Sequence, residues 1–290
     1  MVKRTAIVGL GLIGGSLGLA LKHSGAGDAE LVGYARNPET AARAIRIGAV
    51  DRTADSLSSA VDGADTVVLA TPTTAIREIL QEIAPRLAAG CTVTDTASTK
   101  VKVMEWAQEY LPSSVNFVGG HPMAGKESAG IEVAEANLFR GCTYCLVPGR
   151  NASRASIDLM VELVGRTGAA PLFLTATEHD DFVAGISHLP FILSSSLVLA
   201  TAQSPVWAKM SKLAATGYRD VGRLASQHPR MNRDICLTNR ESILFWIDEF
   251  VKELARFRQL ISDGSEDLEK TFLSAQQARK AWLDDYGKRG

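Results

Sequence analysis

Two histidines and two arginines stand in surroundings suited to chemistry. His121 lies in Gly119-Gly-His-Pro-Met-Ala-Gly125, and His188 lies in Ile186-Ser-His-Leu-Pro190. An imidazole titrates near neutral pH and is able to take a hydroxyl proton as hydride leaves the same carbon. A lone histidine is more often a hydrogen-bonded structural group. Its glycine-rich loop beside a dinucleotide fold favours a catalytic His121. Arg219 and Arg223, in Gly217-Tyr-Arg-Asp-Val-Gly-Arg223, share a face at i,i+4 if the segment is helical. Exposed cations on a helix are usually solvated, but a guanidinium fork matches a carboxylate bidentately, so the pair suits an acidic substrate.

These groups need a fold that brings them to a cofactor. Gly9-Leu-Gly-Leu-Ile-Gly14 follows the β-branched run Thr5-Ala-Ile-Val8 and leads into a helical pattern. Strand, glycine spacing and helix together form the dinucleotide-binding fingerprint. Gly9 permits the tight turn, Gly11 lets backbone approach a pyrophosphate, and Gly14 lets helix and strand pack closely. Leu12 and Ile13 in the loop and Thr71 after a later strand are further cofactor candidates. Thr94-Asp-Thr-Ala-Ser98-Thr-Lys100 follows a strand and caps a helix, with Asp95 or Ser98 as the cap.

The second strand ends Gly33-Tyr-Ala-Arg-Asn37, where an NAD enzyme usually places an acid on the ribose 2′-hydroxyl. Ala35 offers no carboxylate, and Arg36 stands where a 2′-phosphate would be welcome. NADP is therefore expected over NAD.

Alternating strands and helices in the first half predict an α/β doubly wound, Rossmann-type parallel sheet covered on both faces. Strands are expected at Leu31–Tyr34, Asp65–Ala70, Cys91–Thr94, Val115–Gly119, Tyr144–Val147 and Pro171–Leu174. Helices are expected from Pro38 to about Ile47, from Thr74 through Leu87 and from Thr99 to Tyr110. This places His121 in a loop just after a strand. Near residue 175 the period changes. Thr177-Glu-His-Asp180 reads as a capping box, and almost everything beyond it reads helical. Asn239–Ser262 carries an apolar stripe from Ile243 to Ile261, and Leu268–Tyr286 forms a last helix. The expected domains are 1–175, dinucleotide-binding, and 176–290, helical. Part of the stripe is expected to bury against a second copy, giving a homodimer.

Length, 46% hydrophobic and 22% charged residues, and a net charge of -1 place the chain with globular proteins that bind neither nucleic acid nor anionic membranes. No apolar run reaches the length of a membrane span. Met1-Val-Lys-Arg leads directly into the first strand, so no signal peptide is expected and the cytoplasm is the expected location. Cys142-Thr-Tyr-Cys145 has metal-ligand spacing but reads as a packed strand, and no metal is expected.

Five motifs together resemble a known family: Gly9-Leu-Gly-Leu-Ile-Gly-Gly-Ser16, Asp95-x-x-Ser98-x-Lys100, His121-Pro-Met-Ala-Gly125, Ser187-His-Leu-Pro190 and Gly217-Tyr-Arg-Asp-x-x-Arg223. They occur in this order in the prephenate and arogenate dehydrogenases of tyrosine biosynthesis. The resemblance runs from about residue 4 to 285. It implies NAD(P)-dependent oxidative decarboxylation of a cyclohexadienyl acid, driven by aromatisation without a metal. It also implies that His121 bonds the substrate hydroxyl and that Ser98 orients that histidine and the nicotinamide. His188 matches a substrate-pocket histidine, Arg223 a carboxylate grip, and the helical domain the dimer. Arg219 and Lys126 are further substrate-binding candidates. Position 126 is often Thr or Ser in the family, Phe191 replaces a frequent His, and Ala35 replaces the Asp of many NAD users. Ala35-Arg36 with Phe191 is more similar to the NADP-dependent, arogenate-using branch known from cyanobacteria. The chain ends after the helical part, so neither a regulatory domain nor a fused mutase is expected.

Two other readings share the Gly loop. A β-hydroxyacid dehydrogenase of the 6-phosphogluconate type would rely on a catalytic lysine. Lys209 and Lys212 are present but outside that family's motif. A non-catalytic NADP-sensing protein would have no use for His121, Ser98 and Arg223 together.

Overall fold

The computed structural model describes residues 4–25 and 29–286. Met1, Val2 and Lys3, on which the expected absence of a leader partly rests, lie outside the described residues. In chain order the first half contains β1 (Arg4–Val8), α1 (Leu12–His23), β2 (Glu30–Tyr34), α2 (Pro38–Arg46), β3 (Arg52–Thr53), α3 (Leu57–Val61), β4 (Thr66–Leu69), α4 (Ile76–Ile83), β5 (Thr92–Asp95), α5 (Val101–Tyr110), β6 (Asn116–Pro122), β7 (Thr143–Pro148), α6 (Arg154–Arg166) and β8 (Ala170–Phe173). The strands form one sheet in the order β3-β2-β1-β4-β5-β6-β7-β8. The sheet order reverses between β1 and β4, and the Gly loop sits at that switch point, where doubly wound sheets open a crevice.

One strand departs from the parallel expectation. β7 runs antiparallel to β6, pairing His121 with Cys145. The chain between them holds only a single 3-10 turn at Ile131–Val133, and a connection without a crossover helix suits an antiparallel neighbour. His121 consequently lies within β6 rather than in a loop after it, because β7 continues the ladder past Gly119.

β1 and β4 carry apolar residues on both faces, as strands between two helical layers do, while β5 is equally buried but polar at Thr92, Thr94 and Asp95. Ala6, Val67, Leu69 and Val93 pack under α4 and α5, while Val68, Val118 and Leu146 pack under α1 and α6. Two glycines hold the cofactor loop in shape. Gly9 has φ +97, and a Cβ there would sit 2.4 Å from the Ala70 carbonyl oxygen. A Cβ on Gly14 would sit 1.9 Å from the Gly9 carbonyl oxygen, whereas Gly11 faces open space.

The second half is helical: α7 (Ala176–Val183), a π turn (Ala184–His188), α8 (Leu189–Ala202), α9 (Trp207–Met210), α10 (Thr216–Gly222), α11 (Pro229–Thr238), α12 (Arg240–Ser262) and α13 (Asp267–Tyr286). The capping box that starts α7 is Thr175 with Glu178, not Thr177 with Asp180. Thr175 Oγ1 accepts from the Glu178 amide at 3.2 Å, and the Asp180 carboxylate is committed elsewhere. The core of this half is small, built on Ala184, Phe191, Ile235 and Ile243. Phe182, Leu213, Leu237, Phe272 and Trp282 are each more than half exposed, an apolar surface that a single copy leaves uncovered. Ala176–Ala202 runs as one helix, long and apolar enough by length and composition to cross a membrane. The sequence reading finds no such run because Ser187, His188, Pro190 and the three serines 194–196 break up the apolar residues, although no Asp, Glu, Lys or Arg falls between Asp181 and Lys209. An apolar helix at a subunit interface meets the same criteria.

The loop geometry separates two glycines by function. Gly14→Ala should lower the thermal midpoint, because overpacking against backbone costs about 1–3 kcal/mol. Gly11→Ala should leave the midpoint in place yet weaken dinucleotide binding. Calorimetry with cofactor titration of both variants checks this, and equal effects from the two would contradict it.

Candidate active site

A cleft of about 920 Å³ opens at the carboxyl edge of the sheet, between the Gly loop and the helical half. Gly11, Leu12 and Ile13 line one end, Thr96, Ser98 and His121 the floor, and His188, Phe191 and Arg223 the helical wall. Its size suits a nicotinamide with a small acid beside it.

The floor is held by a buried ion pair. Lys100 Nζ bonds the Asp95 carboxylate, and both side chains are fully buried. The other Asp95 oxygen accepts from the Gly120 amide at 3.1 Å, and Oδ2 also accepts from Ala97 N at 2.9 Å. Asp95 thus fixes the backbone next to His121 and the turn that carries Ser98. The motif Asp-x-x-Ser-x-Lys is a brace, with Lys100 as counter-charge and Ser98 as its cavity-facing residue. Removing one partner of such a pair leaves an uncompensated buried charge, at a cost of about 3–5 kcal/mol.

His121 is oriented from the helical half. Its Nδ1 lies 2.9 Å from Nε2 of His179, whose own Nδ1 lies 2.8 Å from Oδ1 of Asp180. The Asp180 carboxylate also accepts from the Lys100 and Val101 amides, at 2.6 and 2.8 Å, at the start of α5. His179 is fully buried and Asp180 nearly so. The hydrogen bond that orients His121 therefore comes from His179, while Ser98, expected in that role, faces the same cleft. Sequence reasoning missed His179 and Asp180. The available signal was two acid–base residues side by side in a helix opening, but both were absorbed into a capping pattern.

Burial holds His121 well below the usual imidazole range, and His179, Lys100 and His188 press it further down. It is neutral at neutral pH, as a proton acceptor must be. His188 sits on the π turn, a geometry frequent at functional sites. Burial pushes His188 down to about 4, with Asp180 opposing the fall and His179 adding to it.

The remaining candidates divide. Arg223 lines the cleft mouth and bonds Glu127 at 2.8 Å, both more than half exposed. Lys126 also lines the mouth and is tied to the Val133 carbonyl and to Glu135. Arg219 does not join them: it is exposed and pairs with neighbouring Asp220. The helical spacing fails because α10 ends at Gly222 and Arg223 begins a tighter 3-10 turn. Lys209 and Lys212 are exposed and outside the cleft lining.

The residues present fit a dinucleotide. The N-terminus of α1 has no side-chain cap, leaving its first amides for an anion. Thr71 Oγ1 is buried without a hydrogen-bond partner beside Gly9, a polar atom awaiting one. The Gly9 amide donates to Tyr34 O, so Ala35 and exposed Arg36 begin next to the Gly loop.

Residues 17–172 match the family model described as prephenate dehydrogenase, nucleotide-binding domain, and residues 175–274 match prephenate dehydrogenase, dimerization domain. The chain belongs to the prephenate dehydrogenase family. A family member, the prephenate dehydrogenase of Bacillus subtilis (strain 168), is 37% identical over 94% of this chain and 74% of its own length. The cyclohexadienyl dehydrogenase of Zymomonas mobilis is 30% identical over 98% of this chain and 97% of its own. Among solved structures, prephenate dehydrogenase from A. aeolicus, in complex with hydroxyphenyl propionate and NAD+, superposes with a TM-score of 0.90. It is 29% identical, covering 97% of this chain and 98% of its own. Arogenate dehydrogenase from Synechocystis gives 0.83 at 29% identity, over 96% and 99% of the two chains. Family membership brings a nicotinamide-dependent dehydrogenase fold and a helical dimerisation domain to this chain.

His188 makes stability depend on pH. An unfolded histidine titrates near 6.5 and the native one near 4, so the unfolded chain binds the extra proton first. Stability present above about pH 6.5 is lost as pH falls toward 4, by roughly 3 kcal/mol from this group. Urea midpoints at several pH values should fall less steeply over that window in His188→Gln than in the wild type. Parallel slopes would remove His188 from the acid response.

Proposed function

We propose that the protein is a cyclohexadienyl dehydrogenase, oxidising and decarboxylating prephenate or arogenate with NADP in the cytoplasm, as a homodimer. Residues 1–175 hold the cofactor and 176–290 form the substrate wall and the dimer. The observation that carries this reading is the neutral His121 on the cleft floor, oriented by His179 and facing an arginine at the mouth. The bound nicotinamide supplies the two-electron acceptor. His121 Nε2 takes the substrate hydroxyl proton as the ring carbon is oxidised. Its ring is held by one hydrogen bond, so the proton-accepting atom stays aimed into the cleft. Arg223 exchanges Glu127 for a substrate carboxylate. An exposed pair of that kind is worth at most about 1 kcal/mol, so the exchange is cheap. Because the product ring is aromatic, carboxylate departure needs no acid from the protein.

The charge of the cleft bears on the substrate. Lys126 and Arg223 are its lining cations, the two histidines being neutral, against one lining carboxylate, Glu127, already engaged by Arg223. Among the residues lining the cleft no carboxylate is left free for the ammonium of an amino-acid side chain. This favours prephenate, whose keto side chain carries no ammonium, against the lean to arogenate drawn from Ala35, Arg36 and Phe191.

Steady-state rates with both acids test the reading. Turnover of prephenate is expected to exceed that of arogenate, and no turnover of either would overturn the assignment. His121→Asn should lower kcat by about 10²–10⁴ with little change in cofactor affinity. Near-normal turnover would remove His121 from the chemistry.

For the cofactor, Arg36 would pair with a 2′-phosphate by charge-assisted hydrogen bonds of ~1.5–3 kcal/mol. NADP should therefore bind about tenfold or more tighter than NAD, since 1.4 kcal/mol is a factor of ten. Arg36→Ala should erase the preference, and adding Ala35→Asp should reverse it. Equal or better use of NAD by the wild type would make Arg36 an ordinary surface charge.

A further inference from the structure

The two cleft histidines are wired to the same residue by different routes, and the routes impose opposite proton positions. We infer that residue 180 fixes His121 as the Nδ1–H tautomer and His188 as the Nε2–H tautomer, so that one ring presents an acceptor to the cleft and the other a donor. His179 and Asn239 are the positioning residues that carry this information. The inference deepens the function proposed above and uses that reading only for what the two rings then do.

The first route runs through the Asp180 side chain. Its carboxylate accepts from two backbone amides of α5, whose hydrogens are fixed by the backbone. An ionised carboxylate has only acceptor positions left, so the 2.8 Å contact with His179 requires a proton on His179 Nδ1. With a single proton, placed on Nδ1 by that contact, His179 has a bare Nε2. The 2.9 Å contact from that atom to His121 requires the proton on His121 Nδ1. His121 Nε2 is left without a proton and is the atom able to accept one from a substrate hydroxyl.

The second route runs through the Asp180 backbone. Its carbonyl oxygen accepts from Asn239 Nδ2 at 2.7 Å, which settles the orientation of that amide, because a carbonyl on the other side could not donate. The amide's second hydrogen points at His188 Nδ1, 3.3 Å away. His188 Nδ1 is thus the acceptor, and its proton sits on Nε2. Asn239 is buried at the start of α12, and His188 is buried on the π turn, so neither ring nor amide has room to turn over.

The consequence is a division of labour between two identical side chains. His121 accepts a proton at the oxidised carbon. His188 is a neutral donor for an oxygen elsewhere on the substrate, so it adds a hydrogen bond without adding a charge that would compete with Arg223 for carboxylates.

Nitrogen NMR of protein labelled with ¹⁵N-histidine tests this without substrate or cofactor. The chain has five histidines, assigned by single substitutions. At neutral pH, the protonated nitrogen is expected to be Nδ1 in His121 and His179 and Nε2 in His188. A proton on Nε2 of His121, or on Nδ1 of His188, overturns the inference, as does a doubly protonated His179. A turnover arm follows. His179→Phe should lower kcat at least tenfold with KM nearly unchanged, and His121 should become a mixture of tautomers. His179→Gln, whose amide oxygen still accepts from Nδ1–H, should recover part of the loss and restore the single tautomer. Full kcat in His179→Phe overturns the positioning role. If that variant does not fold, the wild-type spectrum decides alone. An enzyme inactive on both cyclohexadienyl acids would defeat the proposed function and leave the tautomer result standing.

Discussion

One carboxylate joins the two halves of this protein at the place where they make a site. Asp180 belongs to the first helix after the sheet, yet its oxygens cap the start of α5, a helix of the sheet half. An ionised group buried to this degree is tolerated only when its acceptor positions are filled, and here three donors fill them: two backbone amides and the His179 ring. A residue so fully engaged cannot shift without stranding charge. The helical wall of the cleft is therefore registered against the floor to within a hydrogen-bond length. Thr99 with Thr238 and Thr74 with Asp234 add two further polar ties across the same seam.

A second buried charge completes the floor from below. The Asp95–Lys100 pair holds the turn carrying Ser98 and the amide of Gly120, one residue before His121. The two carboxylates meet at adjacent places: Lys100 gives its side chain to Asp95 and its backbone amide to Asp180. The proposed base thus stands between two rigid anchors, one in each half. Both anchors are expensive to build, since each needs a buried ion surrounded by donors, and catalytic geometry is the return such an arrangement offers.

The cofactor loop, the sheet and the long amphipathic helix were legible because each follows from local pattern. Glycine spacing, β-branched runs and a 3.6-residue apolar period are properties of short windows. His121 was legible for its glycine-rich setting, but its place inside a strand was not, because β7, the strand that extends β6, begins twenty-two residues later. Arg219 shows the limit of helical spacing: the helix changes pitch at Gly222, and only Arg223 turns to the cleft. His179 and Asp180 show a different limit. Two threonines, at 175 and 177, each stand three residues before an acid, so two capping registers compete in the sequence. Which one forms depends on where the Asp180 carboxylate goes, and the two backbone amides that hold it lie 80 and 79 residues away in the chain.

The central claim is that the seam and the alignment of His121 rest on the same carboxylate, whereas the cofactor loop does not. Kinetics of Asp180→Asn measure this most directly, read with prephenate and alongside cofactor affinity. An amide keeps the size of the side chain but replaces one acceptor facing α5 or His179 with a donor. The account predicts that kcat falls at least tenfold at a temperature where the variant is folded, with dinucleotide affinity unchanged. Wild-type kcat in a folded Asp180→Asn protein would contradict it.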